Sequence, residues 1–269
     1  MRRIVGVILL CAGLLALCAL AAIAKDRWTF FGKSSRTIDG SGNVVTVDRT
    51  VDSFDRIESY IGADLEIAVG GELKLTMTGD DNLLELITTK VRGGSLEIDS
   101  RKSFSSHRDI KISITVPSLK ELSLSGSGDV KLLKLNSDRF LLQIDGSADV
   151  TCEGTARDLK IEIAGSGNAE FDQLVADRIQ IDLAGSGEVL LVGTCKDLDI
   201  DVPGSGNVDA RELKCENVRA TIDGSGDIDV WADSSLDGSI DGSGDIRYWG
   251  NAHDISRDIN GSGRIVHKR

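Results

Sequence analysis

One short motif, glycine-serine-glycine followed by a polar residue, recurs along the second half of this 269-residue chain. The intervals between the first glycines of successive copies are 20, 19, 20, 19, 20, 18 and 19 residues. A nearly constant period of this length indicates stacked supersecondary units, in which like residues form rows. This disfavours an enzyme, because a catalytic site needs unlike residues that converge. The first glycines are Gly126, Gly146, Gly165, Gly185, Gly204, Gly224, Gly242 and Gly261.

Apolar and polar residues alternate inside each copy. Counted from the first glycine, the apolar positions fall mostly at even offsets, and the odd offsets are mainly polar. A period of two is the signature of strands with one buried face. The position two residues before the glycine is aliphatic in every copy: Leu124, Ile144, Ile163, Leu183, Val202, Ile222, Ile240 and Ile259.

The period and the alternation together predict an all-β fold, a parallel β-solenoid. Each coil is expected to hold two or three strands of about five residues, and neighbouring coils should lie about 4.8 Å apart. The even positions then become rows of aliphatic side chains inside the tube. A leucine-rich-repeat fold is disfavoured because its asparagine consensus is missing. Helical repeats are disfavoured because the sequence lacks a 3.6-residue apolar period.

The glycines of the motif fall at even offsets, which are the positions expected to face the interior of the solenoid. Glycine there either adopts a positive φ or leaves room at a corner where a Cβ atom would collide with the interior. The second copy reads Gly146-Ser147-Ala148. Alanine tolerates crowding better than a left-handed backbone, so we favour crowding. A second tight corner is predicted nine residues before each motif, where small residues predominate and Asp233 is the exception: Ser137, Ala156, Ala176, Cys195, Cys215 and Ala252.

The amino terminus predicts export. Residues 1–24 combine two arginines with an apolar run and end in Ala22-Ile23-Ala24, which fits a cleaved signal peptide. An uncleaved membrane anchor is the alternative, because about twenty helical residues cross the hydrocarbon core. Both interpretations place the rest of the chain outside the cytoplasm, in the periplasm or on the outer cell surface.

Three further regions follow the export segment. Residues 25–45 are polar and rich in glycine and serine, which predicts a linker. Residues 46–117 alternate irregularly, and residues 62–65 look like a decayed copy of residues 146–150. We therefore expect a β-rich N-terminal cap made from modified first coils. Residues 118–269 hold the regular β-helix repeats.

No cap is evident at the far end of the repeats. The last coil carries a basic cluster in an acidic chain: Arg264, His267, Lys268 and Arg269. Charges on an exposed edge discourage the addition of another strand. Contact with an acidic partner is the alternative interpretation.

Charge and cysteine content restrict the partners. The formal net charge is −12, which argues against nucleic acid, anionic polysaccharides and lipid head groups as electrostatic partners. Membrane contact is expected only through residues 1–24, if they are not cleaved. Cys195 and Cys215 share a column on adjacent coils, a separation compatible with a disulfide. The alternative is that two small apolar residues fill a corner.

A row of outward polar residues, three positions after each first glycine, is the first candidate for a site. Carboxylates about 4.8 Å apart repel one another unless they are solvated or bind cations. Calcium is one interpretation and a solvated row of turns is the other. Because calcium-binding β-roll and EF-hand patterns are absent, we expect no metal and no other cofactor. The weak calcium candidates are Asp223, Asp227, Asp229, Asp241 and Asp245.

Three aromatic residues, Trp231, Tyr248 and Trp249, form the other candidate. They provide a small platform on which a sugar ring could stack, or they fill and shield the last coils. The motif serines are not candidate nucleophiles, because no base distinguishes one of them from the rest. The basic groove expected of a polysaccharide lyase is also missing.

Five stretches of the chain carry a family resemblance: residues 38–43, 51–56, 80–84, 116–119 and 125–129. In this order, over about residues 46–265, they resemble a bacterial adhesin family called the auto-transporter adhesin head domain, or GIN domain. The resemblance implies a single-stranded right-handed parallel β-helix with about 19–20 residues per coil. It also implies export to the cell envelope and a role in adhesion that rests on fold analogy.

These observations predict a non-enzymatic exported protein of the bacterial cell envelope. Its role would be that of an adhesin or interaction scaffold, and its partner a cell-surface protein or a glycan. A carbohydrate-active enzyme of the polysaccharide-lyase type and a periplasmic protein-interaction module are the alternatives.

Overall fold

The computed structural model describes residues 37–106 and 108–269. It is nearly all β, with 68% strands and 2% helix, and forms a β-solenoid of about seven turns. The predicted solenoid is confirmed. The signal peptide or anchor predicted at residues 1–24 lies outside the described residues.

The strands and the one described helical turn are numbered here in chain order. They are β1 (Ile38–Asp39), β2 (Val44–Arg49), β3 (Arg56–Ser59), β4 (Asp64–Val69), β5 (Lys74–Asp80), α1 (Asp81–Leu84), β6 (Ile87–Arg92), β7 (Ser95–Ser100), β8 (Phe104–Ser105), β9 (Lys111–Val116), β10 (Glu121–Leu124), β11 (Asp129–Ile144), β12 (Asp149–Ile163), β13 (Asn168–Val175), β14 (Arg178–Leu183), β15 (Glu188–Val202), β16 (Asn207–Ile222), β17 (Ile228–Gly242), β18 (Asp245–Trp249), β19 (Asp254–Gly261) and β20 (Arg264–His267).

Each regular coil is mostly one long strand rather than two or three short ones. β11 and β16 have 16 residues, and β12, β15 and β17 have 15. They pair in parallel with the coils before and after them, and register shifts mark the bends. The alternation was predicted correctly, but the coil was divided into too many strands. At a bulge the pairing is interrupted only locally, so one strand continues through the bend.

Aliphatic rows fill the lumen, as the alternation predicts. Ile144 pairs with Ile163, and Ile163 pairs with Leu183 on the following coil. The row from Leu124 to Ile240 is 0–3% exposed. Rows of branched side chains that stack at the strand spacing bury most of their surface, and this burial is the main stabilising term of the solenoid.

The motif glycines stack because the coils approach too closely for a Cβ atom. The Ser186 amide donates to the Gly165 carbonyl (3.1 Å), and the same bond recurs from coil to coil. This bond aims the Gly165 carbonyl oxygen at Gly185, where an added Cβ atom would overlap it. The crowded-corner interpretation therefore holds for most copies, and only Gly242 and Gly261 also have a positive φ, of 146° and 132°.

The second corner lies two or three residues before the predicted column. Left-handed residues occur eight positions after the first glycine, at Lys134, Gly154, Gln173 and Gly193. The small residues follow this bend and pack inside it. Cys215 pairs with Ala232 rather than with Asp233, so the exception in the sequence alignment disappears once the shorter 18-residue step is taken into account.

The N-terminal region adds antiparallel strands to the first coil. β5 pairs antiparallel with β2 and with β9, β9 pairs parallel with β4, and β4 pairs parallel with β11. Leu65 pairs with Val130, which agrees with the decayed repeat that the sequence suggested at residues 62–65. In α1, Leu83 and Leu84 are 0% and 2% exposed, so this turn covers apolar surface at the start of the solenoid.

One boundary needs correction. Residues 25–45 were predicted to be a linker, but β1 and the first two residues of β2 lie inside that range. The Ser41 hydroxyl donates to the Asp81 carboxylate (2.5 Å) and the Asn43 side-chain amide donates to it as well (2.8 Å). Glycine and serine suggested a flexible segment, whereas here they allow a tight turn fixed by side-chain hydrogen bonds.

The last coil consists of β19 and β20, and a basic-aromatic cluster covers part of its lumen. Ile255 and Ile259 extend the inner rows but are 36% and 44% exposed. Beside them, Arg257 donates to the Tyr248 hydroxyl (2.6 Å), and the His267 ring stacks on Tyr248 with 4.8 Å between ring centroids. The basic cluster was noted in the sequence, but its contact with Tyr248 was not predicted, because the residues that meet there come from three strands.

Candidate functional site

The outward polar row after each motif forms a hydrogen-bonded ladder. On most coils the side chain accepts the backbone N–H of the equivalent residue on the following coil. Asp129 and Glu188 do not, because the amides that follow them donate to the Gly128 and Gly187 carbonyls instead. The Asp149 carboxylate accepts from Asn168 (3.2 Å), the Asn168 amide oxygen accepts from Glu188 (2.8 Å), and the Asn207 amide oxygen accepts from Asp227 (3.0 Å). The row therefore has a structural use, since its side chains link the turns of successive coils, although the Asn168 amide also donates to the Ala148 carbonyl (3.2 Å).

Arginines neutralise the carboxylates of this row in the last coils. The Asp227 carboxylate accepts from the Asp245 amide (2.9 Å) and from Arg247 (3.1 Å). Asp245 in turn accepts from the Arg264 amide (3.0 Å) and guanidinium (2.7 Å). Asp229 lies between two guanidiniums, with Arg247 Nε at 2.5 Å and Arg211 Nε at 3.6 Å.

Three of the five calcium candidates are bonded to arginine side chains. Asp227, Asp229 and Asp245 are bonded to arginine, and Asp223 and Asp241 are exposed on the other side of the glycine turn. Within residues 37–106 and 108–269, no group of three or more His, Cys, Asp or Glu side chains is arranged to hold a metal ion. The expectation that no metal binds here, with calcium as the alternative, stays untested.

The pKa values of several carboxyls reflect the same contacts. The hydrogen bond from Arg264 lowers the pKa of Asp245, and the hydrogen bond from Arg211 lowers the pKa of Asp209. Asp201 is the opposite case: burial first, and then the charges of Asp182 and other nearby acids, raise its pKa. Arginine therefore stabilises the charged form of carboxyls such as Asp245 and Asp209, whereas burial and neighbouring acids disfavour the charged form of Asp201.

The structure separates the three aromatic candidates. Trp231 and Trp249 pair on adjacent strands and are half-buried on the outer face, whereas Tyr248 is 2% exposed and faces the lumen. Cations approach both indole rings: Lys214 Nζ lies 2.8 Å from the Trp231 ring centroid, and Arg211 lies 5.8 Å from that of Trp249. A platform that includes Tyr248 does not form, and sugar stacking on the two tryptophans stays a prediction.

Cys195 and Cys215 form a disulfide between adjacent coils, with Cα atoms 4.7 Å apart. The spacing of the two residues in the sequence was compatible both with this disulfide and with two free cysteines that fill a corner. Cys152 is free and buried, and burial raises the pKa of its thiol to about 12. A thiol in this state is unreactive, so Cys152 is a packing residue.

A pocket in the N-terminal cap was not predicted from the sequence. It has a volume of about 450 Å³ and lies beside β6, an edge strand that pairs only with β7 in the described residues. No spacing in the sequence reveals it, because its side chains come from the end of β2, from β6 and from the residues that flank β6 and β7. We call it the cap pocket; its lining residues are Arg49, Glu85, Ile87, Thr88, Thr89, Lys90 and Arg101.

Across the described part of the chain, no helix is both long and apolar enough to span a membrane. The motif serines, from Ser127 to Ser262, are all exposed and equivalent in position. None of these serines has contacts that would set it apart from the others as a nucleophile.

Solved structures share this fold. A crystal structure from Parabacteroides distasonis, described as a "putative lipid binding protein", is 32% identical, with a TM-score of 0.81 over 87% of this chain and 100% of that one. A "putative adhesin" from Bacteroides fragilis is 27% identical, with a TM-score of 0.67 over 86% of this chain and 100% of that one. Another from Parabacteroides merdae, at 20% identity and a TM-score of 0.76 over 87% of this chain and 99% of that one, shows the fold alone.

The family comparison agrees with the resemblance noted in the sequence. No curated protein matches the chain. A family model matches residues 53–252, which cover most of the coils described above. The chain belongs to the family described as "Putative auto-transporter adhesin, head GIN domain".

Proposed function

We propose that this chain is an exported, non-enzymatic, adhesin-like rod of the bacterial cell envelope. The observation that carries the proposal is the repeat itself: equivalent serines and ladder residues recur on every coil, and the coil interior is filled with aliphatic side chains. Such a surface suits extended contact with a surface protein or glycan better than chemistry at one point. Family membership supports the same role.

Adherence and exposure on intact cells test this proposal together. Cells that make the chain are compared with cells that lack it, for release of the chain by external protease and for adherence to protein-coated and glycan-coated surfaces. We expect the chain to be cleaved on intact cells and adherence to fall without it. A chain protected from protease, with unchanged adherence, would favour the periplasmic interaction module.

The enzymatic alternative has its own test. The purified chain is incubated with a panel of polysaccharides, with and without calcium. We expect no turnover. Depolymerisation that a single substitution abolishes would overturn the proposal.

Lipid binding is a second candidate, favoured by the 32% identical structure described as a lipid-binding protein. The inner row from Leu124 to Ile240 is 0–3% exposed, so an acyl chain would have to bind outside the lumen. Co-sedimentation with neutral and anionic vesicles tests this candidate. Saturable binding to either kind of vesicle would support lipid over surface glycan or protein.

A further inference from the structure

The cap pocket concentrates positive charge on an acidic molecule. Arg49, Lys90 and Arg101 line it together with a single carboxylate, that of Glu85, while the whole chain has a formal net charge of −12. None of the three cations forms an ion pair with another described residue, whereas Arg92 on the same strand is paired with Glu97 (2.9 Å). Three cations so placed repel one another unless an anion lies between them.

Two contacts explain why Lys90 and Arg49 remain without an ion-pair partner. Lys90 lies directly opposite Glu97 in the β6–β7 pairing, but the Glu97 carboxylate is bonded to Arg92 instead. Arg49 donates through Nη2 to the Leu84 carbonyl (2.8 Å) at the end of α1. This bond fixes the guanidinium at the pocket, and a positioned arginine loses less conformational entropy when it binds an oxyanion.

A buried donor without a partner lies at the same place. Among the described residues, Arg49 Nε is the one buried side-chain polar atom without a hydrogen bond. A buried donor without a partner destabilises the fold until a partner is supplied. Guanidiniums bind carboxylates and other oxyanions through two parallel N–H donors, so a bound anion that reaches Arg49 Nε would satisfy this donor while Nη2 keeps its bond to the Leu84 carbonyl.

The remaining lining suits a polyhydroxylated ligand. Glu85 can accept hydrogen bonds, the half-buried Thr88 and Thr89 carry hydroxyls, and β6 has an edge without a partner strand among the described residues. Unpaired edge N–H and C=O groups can bind ligand hydroxyls. The volume of about 450 Å³ lies within the range of about 300–1,000 Å³ typical of small-molecule sites.

We propose that the cap pocket binds an acidic sugar of a surface glycan, with its carboxylate between Arg49, Lys90 and Arg101. The inference rests on the proposed adhesin-like function and names a ligand class for it. Net negative charge disfavours an anionic membrane surface, because repulsion there acts over many charges at once. For a glycan with isolated acidic groups this repulsion is small, since salt screens charges that lie farther apart than about 8–10 Å.

Calorimetric titration of the purified chain tests the proposal with a matched pair of disaccharides. Cellobiouronic acid carries one carboxylate, and cellobiose lacks it. We expect saturable binding of the acid, at least tenfold weaker binding of cellobiose, and weaker binding of the acid as salt is raised. The double variant Lys90→Glu/Arg101→Glu should bind the acid at least tenfold more weakly, while Arg178→Glu, an exposed charge reversal on β14, should stay within twofold of the natural chain.

The outcomes separate the possible failures. Lys90 and Arg101 are exposed, so loss of the fold is not expected, and circular dichroism and the neutral variant Lys90→Gln/Arg101→Gln check it. Equal binding of the acid by the double variant and the natural chain overturns the site. Inorganic phosphate, or vesicles containing an anionic lipid, bound through the same residues as tightly as the acid would overturn the sugar assignment. Adherence of cells that is unchanged by Lys90→Glu/Arg101→Glu would contradict the pocket but leave the adhesin-like function standing.

Discussion

At the scale of single residues, the motif glycines and the ladder residues carry the repeat, each for a different physical reason. The glycines stand where a carbonyl oxygen of the preceding coil occupies the place of a side chain. The Asp and Asn residues three positions later accept an amide of the following coil. Both functions act between coils, which is why the motif recurs at the coil period.

We predict that Gly185→Ala destabilises the solenoid strongly. The added methyl group would overlap the Gly165 carbonyl oxygen and its backbone, so two coils must move apart and lose ladder hydrogen bonds. We expect a loss of about 2–4 kcal/mol in the free energy of unfolding, measured by urea denaturation. Ser186→Ala is the control, because Ser186 is exposed and its replacement should change stability by less than about 0.5 kcal/mol. Equal effects of the two substitutions would refute the crowding argument.

A second prediction concerns Asp245. Because Arg264 lowers the pKa of Asp245 in the folded chain, its carboxylate stabilises the fold at pH values above the ordinary aspartate pKa of 3.8, and this contribution is lost as pH falls through the lowered value. Asp245→Asn should therefore reduce stability at pH 7 and have little effect below pH 3. Denaturation of both proteins across this range measures the difference.

Asp245→Ala separates the charge from the ladder bond. Asparagine can still accept the Arg264 amide, as Asn168 and Asn207 accept theirs. Alanine cannot, so we expect a further loss of about 1 kcal/mol that persists at low pH. If the alanine and asparagine variants behaved alike, the ladder bond would have no energetic importance.

The residue scale also shows what the sequence could and could not reveal. The repeat spacing and the alternation of apolar and polar residues located the inner rows, because both can be read directly from the order of residues in the chain. The role of the ladder residues was missed, since a row of acids indicates repulsion until the amide that each accepts is known. The cap pocket and the Arg257–Tyr248–His267 cluster escaped prediction because each combines unlike side chains from different strands, and the repeat pattern relates only like residues.

At the scale of elements, the two ends of the solenoid are covered to different extents. The N-terminal end is covered by antiparallel strands and by α1, whose Leu83 and Leu84 are buried. The other end leaves β19 exposed along its length, with Arg257 and His267 lying against Tyr248. Charges at an exposed edge disfavour pairing with another strand, which agrees with the sequence-based interpretation of the basic cluster.

The disulfide joins two long strands, β15 and β16, and gives a prediction at this scale. The bond closes a chain segment with a sequence separation of 20 residues, for which loop entropy predicts a stabilisation of about 3 kcal/mol. Alanine fits both positions, because Ala232 occupies the same column on the next coil. Cys195→Ala/Cys215→Ala should therefore fold and lose about 3 kcal/mol in urea denaturation.

Reduction provides the control for this prediction. Dithiothreitol should lower the stability of the natural chain by a similar amount and leave that of the double alanine variant unchanged. If the double variant is as stable as the oxidised natural chain, the two cysteines act only as corner-filling residues.

At the scale of the whole molecule, the balance of charge agrees with the proposed role. An acidic solenoid with local basic sites is repelled from anionic surfaces at long range, and specific contacts then depend on small areas such as the cap pocket. The family and the solved relatives support the fold and an adhesin-like role, and the cap pocket provides a testable proposal for the partner.

The central claim is that the coils are equivalent stacked units, and removing one coil tests it most directly. Deletion of residues 165–184 joins Ala164 to Gly185 and recreates the junction found in the natural chain. We predict that this variant folds, unfolds cooperatively in urea, and keeps its content of β structure per residue. Deletion of residues 165–174 removes half a coil and should abolish the fold, because no complete turn closes. If the full-coil deletion unfolds like the half-coil deletion, the account of stacked equivalent coils is contradicted.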